Sequence, residues 1–270
     1  MGRSRADQPD PESPWWCRGH HFDRDKRGHQ RRRDASQALS QEQIVRAAIA
    51  IADALGSEAI SMRRIAAALG AGAMSLYWHV ASKDELLEMM IDQAFAEMDL
   101  PEDTPNDWPI RLRIIAIETR KIFKHHPWIA SVGPIGISFG PGFLRHAEFS
   151  FSGFEGTDIS PQQRAEIVSL VDVYAMGFAT RELRNREVDL EARKSDGSWR
   201  DFVAPHFERF EADGRYPALV HLFKSGAGMP SGDQLDQSFC FGLDCLLSGI
   251  VANLDKASGV PEISRDTAKP

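Results

Sequence analysis

Residues 61–79 of this 270-residue chain read SMRRIAAALGAGAMSLYWH, and their types and spacing suit contact with a nucleic-acid duplex. Two short helices joined at Leu69-Gly70-Ala71 are expected, the helix-turn-helix arrangement. Ala66 and Ala67 are small enough for one helix to cross the other closely, and Gly70 can take the positive φ that such a turn needs. The second helix of the pair shows Gly72, Ala73, Ser75 and Tyr77 with almost no charge, so its N-terminal end can enter a major groove. Beyond it, Tyr77, Trp78 and His79 carry polar tips able to hydrogen-bond phosphate oxygens; Trp78 has a mixed reading, a ring in the core with only its indole N–H facing DNA standing beside a side chain exposed for phosphate contact. Lys83 adds a cation at the start of the next helix, where orphan N–H groups also favour anions. The competing reading of 61–79 is an αα-corner of a helical enzyme.

Two other constellations suggest different chemistry and fail on context. Gly136-Ile137-Ser138-Phe139-Gly140 matches GxSxG, with Asp172 and His206 following in hydrolase order. A nucleophile elbow needs a strand before it and a helix after it inside a parallel sheet, whereas here Pro134 and Pro141 flank the match. Cys17, His20, His21 and His29 fit no standard zinc spacing. His125, His126 and His146 read as capping or surface histidines. No catalytic residue, metal or cofactor is therefore expected.

All of the patterning along the chain is helical. Ser40 with Gln43 forms a capping box, followed by Ile44, Ala48, Ile51, Ala52 and Leu55 at helical spacing up to Gly56. Ser61 opens a second helix, a third covers about 72–78, and a Ser82/Glu85 cap opens a fourth over 82–98. Further helices are expected at about 109–125, 143–154, 161–186, 199–212, 217–224 and 232–254, with a Gly/Pro-rich loop at 130–142 and a mobile polar stretch at 187–200. The expected fold is all-α: an N-terminal three-helix helix-turn-helix domain at 39–98 and a C-terminal helical domain at 106–256, to which the family resemblance described below assigns ligand binding and dimerisation. Residues 1–38 read as a disordered basic extension ending in Arg31-Arg32-Arg33, dispensable for folding, and 257–270 as a tail.

Charge supports that division. The net charge is −7, yet residues 1–39 carry +3 and 40–83 carry +1, so the remainder holds −11. The average cannot veto a local basic face. A hydrophobic share of 42% supplies a buried core. No run of about 18 apolar residues occurs, so no membrane span is expected. Three cysteines without a CxxC, and a charged, proline-containing N-terminus, fit a soluble cytoplasmic protein.

Residues 39–98 resemble the DNA-binding domain of the tetracycline-repressor (TetR) family. The resemblance rests on the first helix (LSQEQIVRAAIAIADALG), Ser61-Met62-Arg63-Arg64, the run Met74-Ser75-Leu76-Tyr77-Trp78-His79-Val80 and Lys83-Asp84-Glu85-Leu86-Leu87. It implies a homodimeric, ligand-responsive repressor that binds a palindromic operator in double-stranded DNA. By position, Arg63 and Ser75 would reach bases, as would Ala73 and Met74, with Tyr77 and His79 further along the same helix. Ser61, Met62, Tyr77, Trp78 and Lys83 would anchor phosphates. The family prototype has a polar residue and a proline where this chain has Ala73 and Met74, so its operator sequence does not transfer. The C-terminal part resembles the family's core in helix number and order, which implies a four-helix dimer bundle from about 161–183 and 232–254. An apolar or aromatic small-molecule effector is expected there, in contact with Trp128, Phe143, His146, Tyr174 and Phe178. Ordinary core packing accounts for the same aromatic residues. The alternative function is a helical enzyme with a vestigial DNA-binding domain.

Overall fold

The structure, a computed structural model, describes residues 39–132, 139–194, 199–225 and 233–257. The N-terminal extension with Cys17, His20, His21 and His29, residues 136–138 of the GxSxG match, and the tail from 258 lie outside the described residues. Among the described residues there are ten α-helices and no strand, so the chain is all-α. They are α1 (Gln41–Leu55), α2 (Met62–Ala68), α3 (Ala73–Leu76), α4 (Lys83–Ala96), α5 (Trp108–His125), α6 (Pro141–Ser152), α7 (Pro161–Lys194), α8 (Trp199–Asp213), α9 (Pro217–Lys224) and α10 (Asp233–Ala257). Helix α7 passes the expected stop near Arg186, and the mobile stretch expected from 187 is helical as far as Lys194. Its last residues, REVDLEARK, are polar but strong helix formers, and polarity alone is no stop signal.

Contacts divide the chain into two units. One gathers residues up to Thr104 with Lys121–Ser152, and the other gathers Pro105–Arg120 with the residues from Gly153 onward. Residues 121–152, placed with the C-terminal domain by the sequence pattern, here group with the N-terminal helices.

In the first unit α1 opens with the expected capping box: Ser40 Oγ accepts from the Gln43 N–H, and the Gln43 side chain accepts from the Ser40 N–H. Its buried face is Ile44, Val45, Ala48, Ile49 and Ala52. Leu55, expected on that face, is 63% exposed. Helix α4 buries Leu86, Met89, Met90, Ile91 and Ala94. It also buries Asp92, whose carboxylate accepts from the backbone N–H groups of Phe143 at 2.9 Å and Gly142 at 3.2 Å. Asp92 thus caps the start of α6 from a different helix. Burial pushes its carboxyl above the usual range, against the lowering effect of those two N–H donors. Gly140 and Gly142 permit the approach: a Cβ on Gly140 would lie 2.3 Å from the Asp92 carboxyl carbon, and one on Gly142 would lie 2.1 Å from the Asp92 backbone oxygen.

The second unit is built on Leu112, Phe154, Val171, Ala175, Phe239 and Leu243, with Trp108 stacked on Phe154 at 5.5 Å. Arg120 crosses this core, donating to Glu182 and to Asp236 at 2.7 Å each, with its guanidinium 4.8 Å from the Phe239 ring centre. Burial alone would lower its pKa, but the hydrogen bonds and charges of Glu182 and Asp236 outweigh burial and raise it. The residue therefore stays a paired cation, as a desolvated charge must.

Within α10, Gln234–Lys256 is long and apolar enough, by length and composition, to cross a membrane. Asp236 and Asp244 interrupt this stretch, so no unbroken apolar run marks it in the sequence. One face of it joins the core through Phe239, Leu243 and Leu247, and its Asp236 and Asp244 pair with Arg120 and Arg113.

Candidate nucleic-acid interface

Local chemistry sets the geometry of residues 61–83. Ser61 caps α2, its hydroxyl accepting from the Arg64 N–H at 3.2 Å. The helix ends at Gly70, whose φ of 64° reverses the chain. The Ala71 N–H bonds the Ala66 carbonyl and the Gly70 N–H bonds the Ala67 carbonyl, which together make a Schellman C-cap. Gly72 then leads straight into α3, and Leu76 fastens α3 to the core. Helix α3 is one turn shorter than the stretch expected to Trp78, since residues 77–79 form a turn instead. The Gln41 side-chain amide donates to the His79 carbonyl at 3.0 Å and so ties this turn to the start of α1. Sequence reading missed that role, because nothing local to Gln41 points 38 residues downstream.

Of the ten residues expected to meet DNA, Ser61, Arg63, Met74, Tyr77, Trp78 and Lys83 are exposed, while Met62, Ala73, Ser75 and His79 are partly buried. Trp78 is 87% exposed, Met74 76% and Tyr77 50%. Of the two readings of the Trp78 ring, the exposed one holds; Leu76 and Val80 are the buried residues on either side of it. Ser75 donates its hydroxyl to the Gly72 carbonyl at 2.6 Å, which braces the first turn of α3. Arg64 spends a guanidinium N–H on the Ala59 carbonyl at 2.8 Å, whereas its neighbour Arg63 is exposed. Residues 59–83 contain Arg63, Arg64 and Lys83 and no Asp or Glu, so the local charge is positive on an otherwise acidic chain. At α4, Ser82 Oγ accepts from the Glu85 N–H at 3.0 Å, but the Glu85 carboxylate reaches the Ala81 N–H rather than closing the box on Ser82.

The five residues expected at an effector site fall into separate clusters. In the first unit the His146 ring meets Phe95 edge-on at 5.7 Å and Phe143 nearly face-on at 6.0 Å. Trp128 is buried, and its indole N–H donates to Asp53 at 2.8 Å. In the second unit Tyr174 and Phe178 pack on Phe239, with the Tyr174 hydroxyl donating to the Phe239 carbonyl at 2.7 Å. Of the histidines read as capping or surface, His125 is exposed, His126 is buried at the N-cap of the short turn of helix Pro127–Ser131, and His146 is buried within α6. The second unit also holds an open cleft of about 700 Å³, lined by Trp108, Pro109, Thr157, Ile159, Val251 and Leu254 among others. None of the five expected effector residues lines it.

Two short helices joined by a positive-φ glycine, offering exposed aromatic and basic side chains with no acid among them, define a helix-turn-helix DNA-binding protein. Comparisons with known proteins place that class more closely. Residues 44–90 match the bacterial regulatory proteins of the tetR family, and residues 100–254 match the tetracyclin repressor-like C-terminal domain. The HTH-type transcriptional repressor DrrR1 of Streptomyces coeruleorubidus is 31% identical over 224 residues, spanning 83% of this chain and 81% of that protein. An HTH-type transcriptional regulator of Saccharopolyspora erythraea is 31% identical over 190 residues, 70% of this chain and 77% of that one. Among solved structures, the TetR family protein ActR of Streptomyces coelicolor in complex with actinorhodin aligns with a TM-score of 0.64 at 28% identity, over 80% of this chain and 98% of ActR. The chain belongs to the TetR family and is a DNA-binding regulator of transcription.

Proposed function

We propose that the protein is a repressor that binds a palindromic operator as a homodimer and releases it when an apolar or aromatic effector binds. The observation that carries the reading is the exposure of Met74, Tyr77 and Trp78 on a turn whose charged side chains are all basic. Large apolar groups left in water mark a surface meant to be covered. In this reading Ala73, Met74, Ser75 and Arg63 meet bases, with Tyr77 and His79 beside them. Ser61, Met62, Trp78 and Lys83, together with Tyr77, hold phosphates.

Support for the dimer comes from α7 and α10. Leu170, Val173 (62% exposed) and Gly177 form an uncovered strip on α7, and Phe241 (72% exposed), Cys245, Ser248 and Ala252 form one on α10. Each strip follows three- and four-residue steps, so it occupies one helix face. A second copy of the chain is the partner that fits, as a four-helix bundle pairing these faces by two-fold symmetry.

Support for an aromatic effector comes from ActR, which is described with actinorhodin and with (S)-DNPA. Here the Phe143–His146 cluster and the Tyr174–Phe178 cluster are the candidate contacts; Trp128 is the weakest of the five because its indole N–H is already engaged. Coupling to DNA runs within the first unit: α6 starts on Asp92 of α4, and α4 begins at Lys83. By reciprocity, an effector that weakens DNA binding tenfold binds the DNA complex tenfold less well, a coupling of about 1.4 kcal/mol.

The test is genome-wide operator mapping followed by binding assays on the site found. Tyr77→Ala should abolish the specific complex, and Phe241→Arg should give a monomer that no longer protects a two-fold site. A monomeric wild type at micromolar concentration, or equal affinity for scrambled DNA, overturns the reading.

A further inference from the structure

Three side chains of the first unit meet at a point that DNA binding and effector binding leave unused. Glu97 caps the C-terminus of α4, and His125 and His126 end α5 and follow it. Each offers one ligand atom, and the three atoms lie within 4.8 Å of one another. His126 Nε2 is 3.1 Å from Glu97 Oε2. Two donors on one tetrahedral zinc, with bonds of about 2.0–2.1 Å, sit roughly 3.3 Å apart, so this pair is already spaced for a shared ion.

The surroundings orient the imidazole as well. His126 Nδ1 faces Asp53 Oδ1 at 2.8 Å, and the same oxygen accepts from the Trp128 indole N–H at 2.8 Å. An Nδ1–H donated to that carboxylate leaves the Nε2 lone pair aimed at Glu97, the carboxylate–histidine–metal relay of many metal sites. The rival explanation is an imidazolium linking Asp53 and Glu97 as an ion pair. It accounts for His126, which is 2% exposed, but gives no role to His125, whose ring stands edge-on to His126 at 4.6 Å. His125 is exposed, so its ring has room to turn and complete the donor set.

We propose that Glu97, His125 and His126 bind a divalent transition-metal ion, zinc foremost, with Asp53 and Trp128 as its supporting layer. Two imidazoles and one carboxylate suit zinc, nickel or cobalt; magnesium and calcium prefer oxygen donors throughout. Three protein ligands leave a fourth position for water or for a donor atom of a bound molecule. The ion joins the end of α4 to the end of α5, and Asp53 extends that link to α1.

Full-length untagged protein, titrated with Co²⁺ and followed by its visible ligand-field bands, reads the geometry directly; calorimetry with Zn²⁺ gives the stoichiometry. The wild type should show tetrahedral-type Co²⁺ absorption that His125→Ala abolishes, with one fewer Zn²⁺ bound per chain. Glu97→Gln, which keeps a hydrogen-bond acceptor for His126, should also lose that ion. Asp53→Asn should weaken binding by about 10–100-fold. Cys17, His20, His21 and His29 are present in every variant, so ions they hold cancel in the comparison. Unchanged spectrum and stoichiometry in His125→Ala, or no Zn²⁺ binding by the wild type below millimolar concentration, would leave the cluster as an imidazolium–carboxylate link and overturn the proposal.

Discussion

Asp92 is the most informative single position for the fold of the first unit. Helix α6 starts with Gly140 as its cap residue, the Gly140 carbonyl accepting from the Leu144 N–H at 2.9 Å, so the chain supplies no local side-chain cap. The Asp92 carboxylate fills that gap and satisfies the Gly142 and Phe143 N–H groups. Asp92→Ala removes a cap, which costs about 0.5–2 kcal/mol. It also strands a buried donor at Gly142, which adds about 1–3 kcal/mol. A loss of about 2–4 kcal/mol is expected from the pair, read as a lowered urea midpoint by far-UV circular dichroism. Asp92→Asn keeps one acceptor oxygen and sheds the desolvated charge, so it should cost less. Its pH dependence has a definite sign. The folded-state pKa of Asp92 is raised, so the stability linked to its protonation is fully present below the unfolded pKa and is lost as pH rises through the folded value. The cost of Asp92→Asn should therefore be larger at about pH 4.5 than at about pH 7. A rescue separates capping from general packing. Gly140→Ser alone would drive its side chain into Asp92, but in the Asp92→Ala background it offers a local N-cap and should restore part of the loss. An Asp92→Ala protein as stable as the wild type, or a cost of Asp92→Asn that grows with pH, would refute the reasoning.

Three further outcomes are expected. Gly70→Ala meets no steric obstacle but forces an alanine to a φ of 64°, so it should cost about 1–2 kcal/mol in stability by urea titration and loosen operator binding. Arg120→Ala removes the guanidinium that neutralises the buried Glu182 carboxylate and should destabilise the protein by about 3–5 kcal/mol, visible as a lowered thermal midpoint. Lys83→Ala should weaken binding to all DNA sequences alike, whereas Arg63→Ala or Ser75→Ala should change which bases are preferred in a selection from randomised sites; a base-specific shift from Lys83→Ala would reverse these roles.

The relation between sequence and structure differs from element to element. The Ser40/Gln43 capping box, the Ser61 and Ser82 caps and the Gly70 turn were all legible, because their hydrogen bonds close within about five residues. Helix α9 falls on its expected residues, Pro217–Lys224, because a first-turn proline and a short apolar run are local signals too. The exposed strip at residues 74–78 was legible for the same reason: Met74, Tyr77 and Trp78 lie outward on one short helix and its turn, whatever surrounds them. Even there the two readings of the Trp78 ring were not separable, since whether an aromatic packs inward depends on which neighbour already fills the core, and Leu76 and Val80 do so.

What the sequence determined by itself, then, is the helical content, most helix starts, the helix-turn-helix and the side chains it exposes. Each of these is written in contacts between residues i and about i+5. Tertiary structure alone decided the pairings between distant helices. Asp92 caps a helix 50 residues further on, Asp53 holds His126 from 73 residues away, and Arg120 joins Glu182 to Asp236 across 62 and 116 residues. No periodicity or spacing encodes such partners. They are chosen when buried apolar faces bring two helices together and each polar group trapped between them takes the nearest donor or acceptor in place of water.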